Sequence, residues 1–175
     1  MNQVNQKIST RVLISVALML ALTFILQQIK LFHMPQGGSV TPGGMIPLIL
    51  ISLRYGMKIG AMAGFMFGLI EMIIDPYLLH PIQILFDYPL PYMSMALAGL
   101  MKEHLFISVV IAFDARFTCH FISGVAFFGS YAPEGMSPFI YSAIFNATYL
   151  IPELIISLVI LKLLPLDRLF KAMHD

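Results

Sequence analysis

Apolar residues fall along this chain in long unbroken runs, not in an alternating or one-faced pattern. The runs are Val12–Ile29, Met45–Leu53, Ile59–Ile74, Ile82–Met101, Leu105–Phe128 and Phe139–Leu164, joined by short polar or Gly/Pro-rich segments. A helix crossing a bilayer needs roughly 20 apolar residues, with a range of about 17–25. Four runs reach or nearly reach that length. Ile59–Ile74 is slightly short, and Met45–Leu53, extended to 43–55, predicts a short, tilted or partly broken helix. Lipid leaves only helices or a closed barrel to satisfy the backbone, and barrel strands would alternate with period two. The expectation is an all-α integral membrane protein, a single domain over 1–175, with six helices near 12–29, 43–55, 59–74, 82–101, 105–128 and 139–164. Gln27, Gln28 and Lys30 follow the first run without a small-residue cleavage site, so that run is not expected to be a signal peptide.

Composition strengthens this reading. Of 175 residues 59% are hydrophobic and 11% charged, and the mean hydropathy is +0.88. Soluble domains carry about 25% charged residues. A net charge of +1 with no basic block gives no footprint for nucleic acid. The single Cys119 says nothing about redox compartment.

The few charges set the orientation. Lys7, Arg11, Arg54, Lys58, Lys102, Lys162, Arg168 and Lys171 fall on one side of the six predicted spans, and Lys30 alone on the other. The excess of basic residues on cytoplasmic loops then puts both termini in the cytoplasm of a multi-pass cell-membrane protein. The opposite side carries the joints His33–Gly44, Asp75–His80 and Gly129–Ser137.

Polar residues within the runs are costly, on the order of 2.5–3.5 kcal/mol for a charge at the bilayer centre, and need a reason. Asp87 lies early in the fourth run, beside Tyr88, Pro89 and Pro91. Arg116, His120, Gly124 and Phe128 recur every four residues in the fifth, mixing a cation, an imidazole, a gap and a ring as a lipid-facing surface would not. The sixth offers Tyr141, Asn146, Tyr149 and Glu153, with Pro152 interrupting the hydrogen-bond ladder. Glu71 has no evident partner and reads as structural. Gly60, Gly64 and Gly68 read as a packing stripe that lets helices approach closely. Asp87, the end of the fifth run and the start of the sixth share one depth beneath the outer joints. An acid, an imidazole, an amide and several rings there suit a small, flat, cationic or hydrogen-bonding molecule, each ring attracting a cation by about 0.5–2 kcal/mol. No HExxH, GxSxG or Walker A sequence is present, so no metal or cofactor is expected and ATP hydrolysis by this chain is excluded.

These residues carry a resemblance. The run from His120 to Phe128, Tyr131–Gly135, Tyr141–Ser142, Asn146 and Pro152–Glu153 resembles the C-terminal half of the thiamine-specific substrate-capture (S) subunits of energy-coupling factor transporters. Gly37–Thr41, Arg54–Gly56 and Asp87–Leu90 resemble the N-terminal half. The resemblance implies a six-helix membrane protein that captures thiamine near its outer face. Transport then needs a transmembrane coupling subunit and two ATPases, which alone use ATP. By position, the family's binding acid falls on Asp87 beside Tyr88, its histidine and glycine on His120 and Gly124, its stacking ring on Phe128, and its last helical contacts on Tyr141 and Asn146. The small-residue surface that docks the coupling subunit falls on Ala17 and Ala21. The chain departs from some relatives in having Asp where they have Glu, and in lacking tryptophan altogether. Arg116 is assigned to helix pairing, because it would repel a thiazolium. Other readings of the same residues are a receptor for a thiamine precursor, an intramembrane enzyme using Asp87, His120 and Glu153, and a self-sufficient carrier.

Overall fold

A computed structural model describes residues 8–173. The chain opens with α1 (Thr10–Gln28), started by the Ser9 hydroxyl, which accepts a hydrogen bond from the Val12 N–H at 3.3 Å. A small hairpin follows, β1 (Phe32–His33) paired antiparallel with β2 (Ser39–Val40), so the helical architecture carries one minor strand element. Next come α2 (Ile46–Tyr55) and α3 (Met57–Ile74). They are separated only by Gly56, whose φ of 88° lies where a side chain would be strained. α4 (Pro81–Asp87), α5 (Pro89–Met93) and a 3-10 turn (Ser94–Gly99) come next, then a second 3-10 turn (Lys102–His104) leading into α6 (Leu105–Phe127). A 3-10 turn (Gly129–Tyr131), α7 (Pro138–Leu163) and α8 (Leu166–Ala172) complete the order. α7 runs through Pro152 without a break in the helix.

Among the described residues four segments are long and apolar enough to cross a membrane: α1, α3, Lys102–Phe127 and α7. Two of the six expected helices fall outside that set: one is short, as its run predicts, and one takes another form. The expected helix over 43–55 is the short α2, whose residues from Ile46 to Leu53 are all buried. It fills the middle of the molecule, packed with Phe67, Met95, Val109 and Leu161. At 1.5 Å per residue its 10 residues span about 15 Å, half a hydrocarbon core.

The expected continuous helix over 82–101 is instead three pieces. Pro89 and Pro91 supply no backbone N–H, and a residue before proline is driven out of helical geometry. Tyr88 accordingly sits at φ −116°, ψ −80°. The glycine stripe on α3 holds the break in place. A side chain at Gly68 would put its Cβ 2.6 Å from the Tyr88 carbonyl oxygen, and one at Gly64 would strike the Tyr92 carbonyl. Gly60 leaves the same kind of room for Ser52.

The polarity of the molecule is inverted relative to a soluble protein. Exposed apolar side chains stripe α1 (Leu13, Ile14, Leu18, Leu22) and α7 (Ile140, Ile144, Ile151, Ile155), while Thr41, Ser108, Arg116, Ser123, Asn146 and Glu153 are buried. An apolar belt on this scale marks a surface that meets lipid.

Candidate functional site

A cavity of about 220 Å³ opens where the ends of α1 and α3, the α4–α5 break, α6 and α7 meet beneath the hairpin. Asp87, Tyr88, His120, Gly124, Phe128, Tyr141 and Asn146, the seven residues singled out in the sequence, all line it. They come from the end of α4, from α6 and its last turn, and from α7, and the geometry of each follows from its element.

Asp87 is the last residue of α4, so its carboxylate is released sideways at the break toward α6. Its Oδ2 accepts hydrogen bonds from Gln83 Nε2 at 2.6 Å and from Ser123 Oγ at 2.8 Å, and its Oδ1 lies 3.3 Å from His120 Nδ1. Gln83 stands four residues before Asp87 on the same face of α4 and ties the acid to the joint between α3 and α4. Its Nε2 donates to the Tyr77 carbonyl at 2.9 Å and its Oε1 accepts from the Leu79 N–H at 2.9 Å. Tyr88 turns the other way. Its hydroxyl donates to the Asp75 carbonyl at 2.8 Å and accepts from the Tyr77 N–H at 2.6 Å.

On α7, Asn146 Nδ2 donates to the Ser142 carbonyl at 2.9 Å, and its Oδ1 accepts from the Tyr149 hydroxyl at 2.9 Å. Gly124 makes room chiefly for this helix. A Cβ there would collide with Ser142 Oγ and approach Asn146 Nδ2 to 3.5 Å. The hairpin presses on the same helix, because Gly38 leaves no space for a Cβ over the Tyr149 ring, 2.7 Å away.

Phe128 is the residue that ends α6, one past its last helical position. Tyr77 stacks on it at 5.5 Å between ring centres, and Tyr131 leans against it at 6.1 Å. The Tyr77 and Tyr131 hydroxyls are 2.8 Å apart, linking the α3–α4 and α6–α7 joints. That hydrogen bond holds the Tyr77 hydroxyl above the usual tyrosine range.

Arg116 lies deeper. It is buried, 3.4 Å from Glu153 of α7, and its guanidinium sits 5.1 Å from the Tyr92 ring centre. Glu153 also accepts from the Thr41 hydroxyl at 2.6 Å. The sequence left the partner of Arg116 open; it is Glu153, across the α6–α7 seam.

Four side chains on the cavity wall keep a buried polar atom without a hydrogen-bond partner among the described residues: Gln27 Nε2, Glu71 Oε2, Arg116 Nε and His120 Nε2. Sequence reasoning missed Gln27 and Gln83 and set Glu71 aside. The four-residue spacings from Gln83 to Asp87 and from Glu71 to Asp75 were the available signals. Ala17 and Ala21 are not among the residues that line the cavity and are exposed on the surface of α1. Among the described residues no group of three or more His, Cys, Asp or Glu could hold a metal ion.

With that geometry in place, the chain can be set beside known proteins. It is 38% identical to the thiamine transporter ThiT of Bacillus subtilis, over 94% of this chain and 93% of that one. It is 28% identical to the thiamine transporter ThiT of Lacticaseibacillus paracasei, over 69% of this chain and 70% of that one. Its fold matches a solved structure of ThiT from Listeria monocytogenes with a TM-score of 0.81 at 24% identity, covering 94% of this chain and 97% of the other. Residues 13–172 match the family described as thiamine transporter protein (Thia_YuaJ), and with that match the chain belongs to this family of multi-pass membrane proteins.

Proposed function

We propose that this chain captures thiamine at the outer face of the bacterial cell membrane and passes it inward as the substrate-binding subunit of an energy-coupling factor importer. The observation that carries the reading is convergence: Asp87, His120, Phe128, Tyr141 and Asn146, read from the sequence as a thiamine site, line a single cavity. The chemistry of the lining supports it. Thiamine presents a permanently cationic thiazolium, an aminopyrimidine with donors and acceptors, and a hydroxyethyl arm. Phe128 and Tyr141 supply ring faces for a flat cation. Asp87, steadied by Ser123 and Gln83, supplies the compensating charge and an acceptor, while His120 and Asn146 supply directional bonds. Gly124 keeps α6 close enough to α7 for both walls to reach one ligand.

In the same reading the chain crosses the membrane six times with both termini in the cytoplasm. The pieces α4, α5 and Ser94–Gly99 make one broken crossing, and α2 with the loop before it makes a short one. Irregular backbone at that depth is tolerated where it is enclosed by protein or lines a cavity, as it does here. The outward face of α1 around Ala17 and Ala21 docks the coupling subunit. Small side chains there leave a shallow groove for a partner helix. Energy comes from two partner ATPases.

Calorimetric or fluorescence titration of the detergent-solubilised chain with thiamine tests the capture step. Tight binding by the parent, with clear loss in Asp87→Asn and Asn146→Ala, is expected. A folded parent that does not bind thiamine would remove the reading. Uptake into vesicles that contain this chain alone would count against the ATPase-dependent scheme.

A further inference from the structure

Three carboxylates line the cavity, and they differ in what they lack. Asp75 is paired with Lys30. Asp87 is supplied with neighbours on both oxygens by Gln83, Ser123 and His120. Glu71 is not: its Oε2 is buried and has no hydrogen-bond partner among the described residues. A buried acceptor without a donor is unfavourable, and a ligand that supplies the donor removes the penalty.

The setting of Glu71 narrows what that donor can be. The ion pair between Lys30 and Asp75, 2.8 Å long, ties the end of α1 to the end of α3. One helical turn inward from that bridge stand Gln27 on α1 and Glu71 on α3, both on the cavity wall. Gln27 Nε2 is also buried and unpartnered. The two vacancies, one acceptor and one donor, are the complement of an alcohol, which gives one hydrogen bond and receives another. A thiazolium cation could use the carboxylate but would leave the amide N–H unmet. The charges nearby point the same way. Asp75, Lys30 and Arg116 surround Glu71, Lys30 is engaged by Asp75, and Arg116 by Glu153. With each cation matched, neither is left to receive an anionic group at this corner.

We propose that Glu71 and Gln27 form a second polar subsite that receives the free hydroxyl of the captured molecule and discriminates against its phosphate esters. This rests on the thiamine reading above; the ligand group concerned is the hydroxyethyl arm. A neutral alcohol closes both open positions. A phosphate placed there would bring acceptor oxygens and negative charge against the Glu71 carboxylate.

The experiment titrates the full chain in detergent with three probes: thiamine, the analogue whose hydroxyethyl arm is an ethyl group, and thiamine monophosphate. The parent should prefer thiamine to the ethyl analogue by roughly tenfold, the order expected for a hydrogen bond to a charged acceptor. Glu71→Met and Gln27→Leu should each lose most of that preference while holding the ethyl analogue within about twofold of the parent, since groups that do not touch couple little. The isosteric Glu71→Gln, which keeps the shape of the corner, should narrow the gap between thiamine and its monophosphate. A parent with no preference for the hydroxyl, or variants that weaken all three probes by the same factor, would overturn the subsite while leaving thiamine capture standing. A parent that binds none of the probes would remove the thiamine reading, and the subsite with it.

Discussion

Ser123 of α6 donates a hydrogen bond of 2.8 Å to the carboxylate of Asp87, the residue at which α4 stops. The acid is thereby aimed by a helix other than its own. Ser123→Ala should leave the fold intact and let the carboxylate swing. Thiamine affinity should drop by about tenfold, the loss expected for one hydrogen bond to a charged group. Calorimetry on the variant and on Asp87→Asn checks this, and the double variant should be little worse than Asp87→Asn alone. Fully additive losses would show that Ser123 does not act through the acid.

Gly68 meets the backbone of the α4–α5 break so closely that a methyl group would sit 2.6 Å from the Tyr88 carbonyl oxygen. Neither partner there is a flexible side-chain tip. Gly68→Ala should destabilise the protein by about 1–3 kcal/mol through overpacking, and it should also weaken binding, because the break carries Asp87 and Tyr88. Thermal unfolding in detergent, with and without thiamine, measures both effects. An unchanged midpoint would mean that α3 and the break can separate without cost.

Arg116 and Glu153 are buried together at the α6–α7 seam. Removing one partner strands the other charge away from water. Glu153→Leu should cost about 3–5 kcal/mol of stability. Replacing both, as Arg116→Met with Glu153→Leu, should recover much of that loss. Chemical or thermal denaturation of the two single variants and the double variant is the measurement. Equal destabilisation of the double and single variants would argue that the pair's packing, not its charge, holds the seam.

Tyr77 and Tyr131 join the α3–α4 and α6–α7 joints through their hydroxyls, 2.8 Å apart. The hydrogen bond raises the Tyr77 pKa above the ordinary value of 10.0. A group whose pKa is raised on folding contributes stability that is whole below the unfolded value and lost as pH climbs through the folded one. The contact should therefore be insensitive to pH from neutrality to about pH 9 and should open in the alkaline range above 10. Ultraviolet titration of tyrosinate in the parent and in Tyr131→Phe follows it. Tyr77 should ionise at lower pH in the variant, and coincident titration curves would contradict the link.

The sequence by itself determined that this chain lives in lipid, and it picked out seven residues that the fold brings to one cavity. Those properties follow from local composition: long apolar runs can satisfy themselves only in a membrane, and Asp87, His120 or Asn146 within such runs carries a desolvation cost that implies a purpose. The α3 glycines, spaced at four residues, were likewise legible as packing, and the ends of α1, α3, α6 and α7 fall within a few residues of the apolar runs. Hydropathy could not tell a span from a core segment. Ile46–Leu53 is as oily as a lipid-facing helix, yet it is enclosed by its neighbours, and burial on all sides is a property of the assembled bundle. Nor did the apolar run over 82–101 reveal its break at Tyr88 or its change to 3-10 winding at Ser94. Prolines can be absorbed into a helix, as Pro152 is within α7, or can end one, as at Pro89. At Pro89 the difference lies partly across the interface, where Gly64 and Gly68 admit the displaced backbone. Glu71 shows in the sequence only as an acid without an evident partner, and Gln27 not at all, for the same reason. A buried polar atom becomes informative only when the fold shows that no neighbour in the protein reaches it.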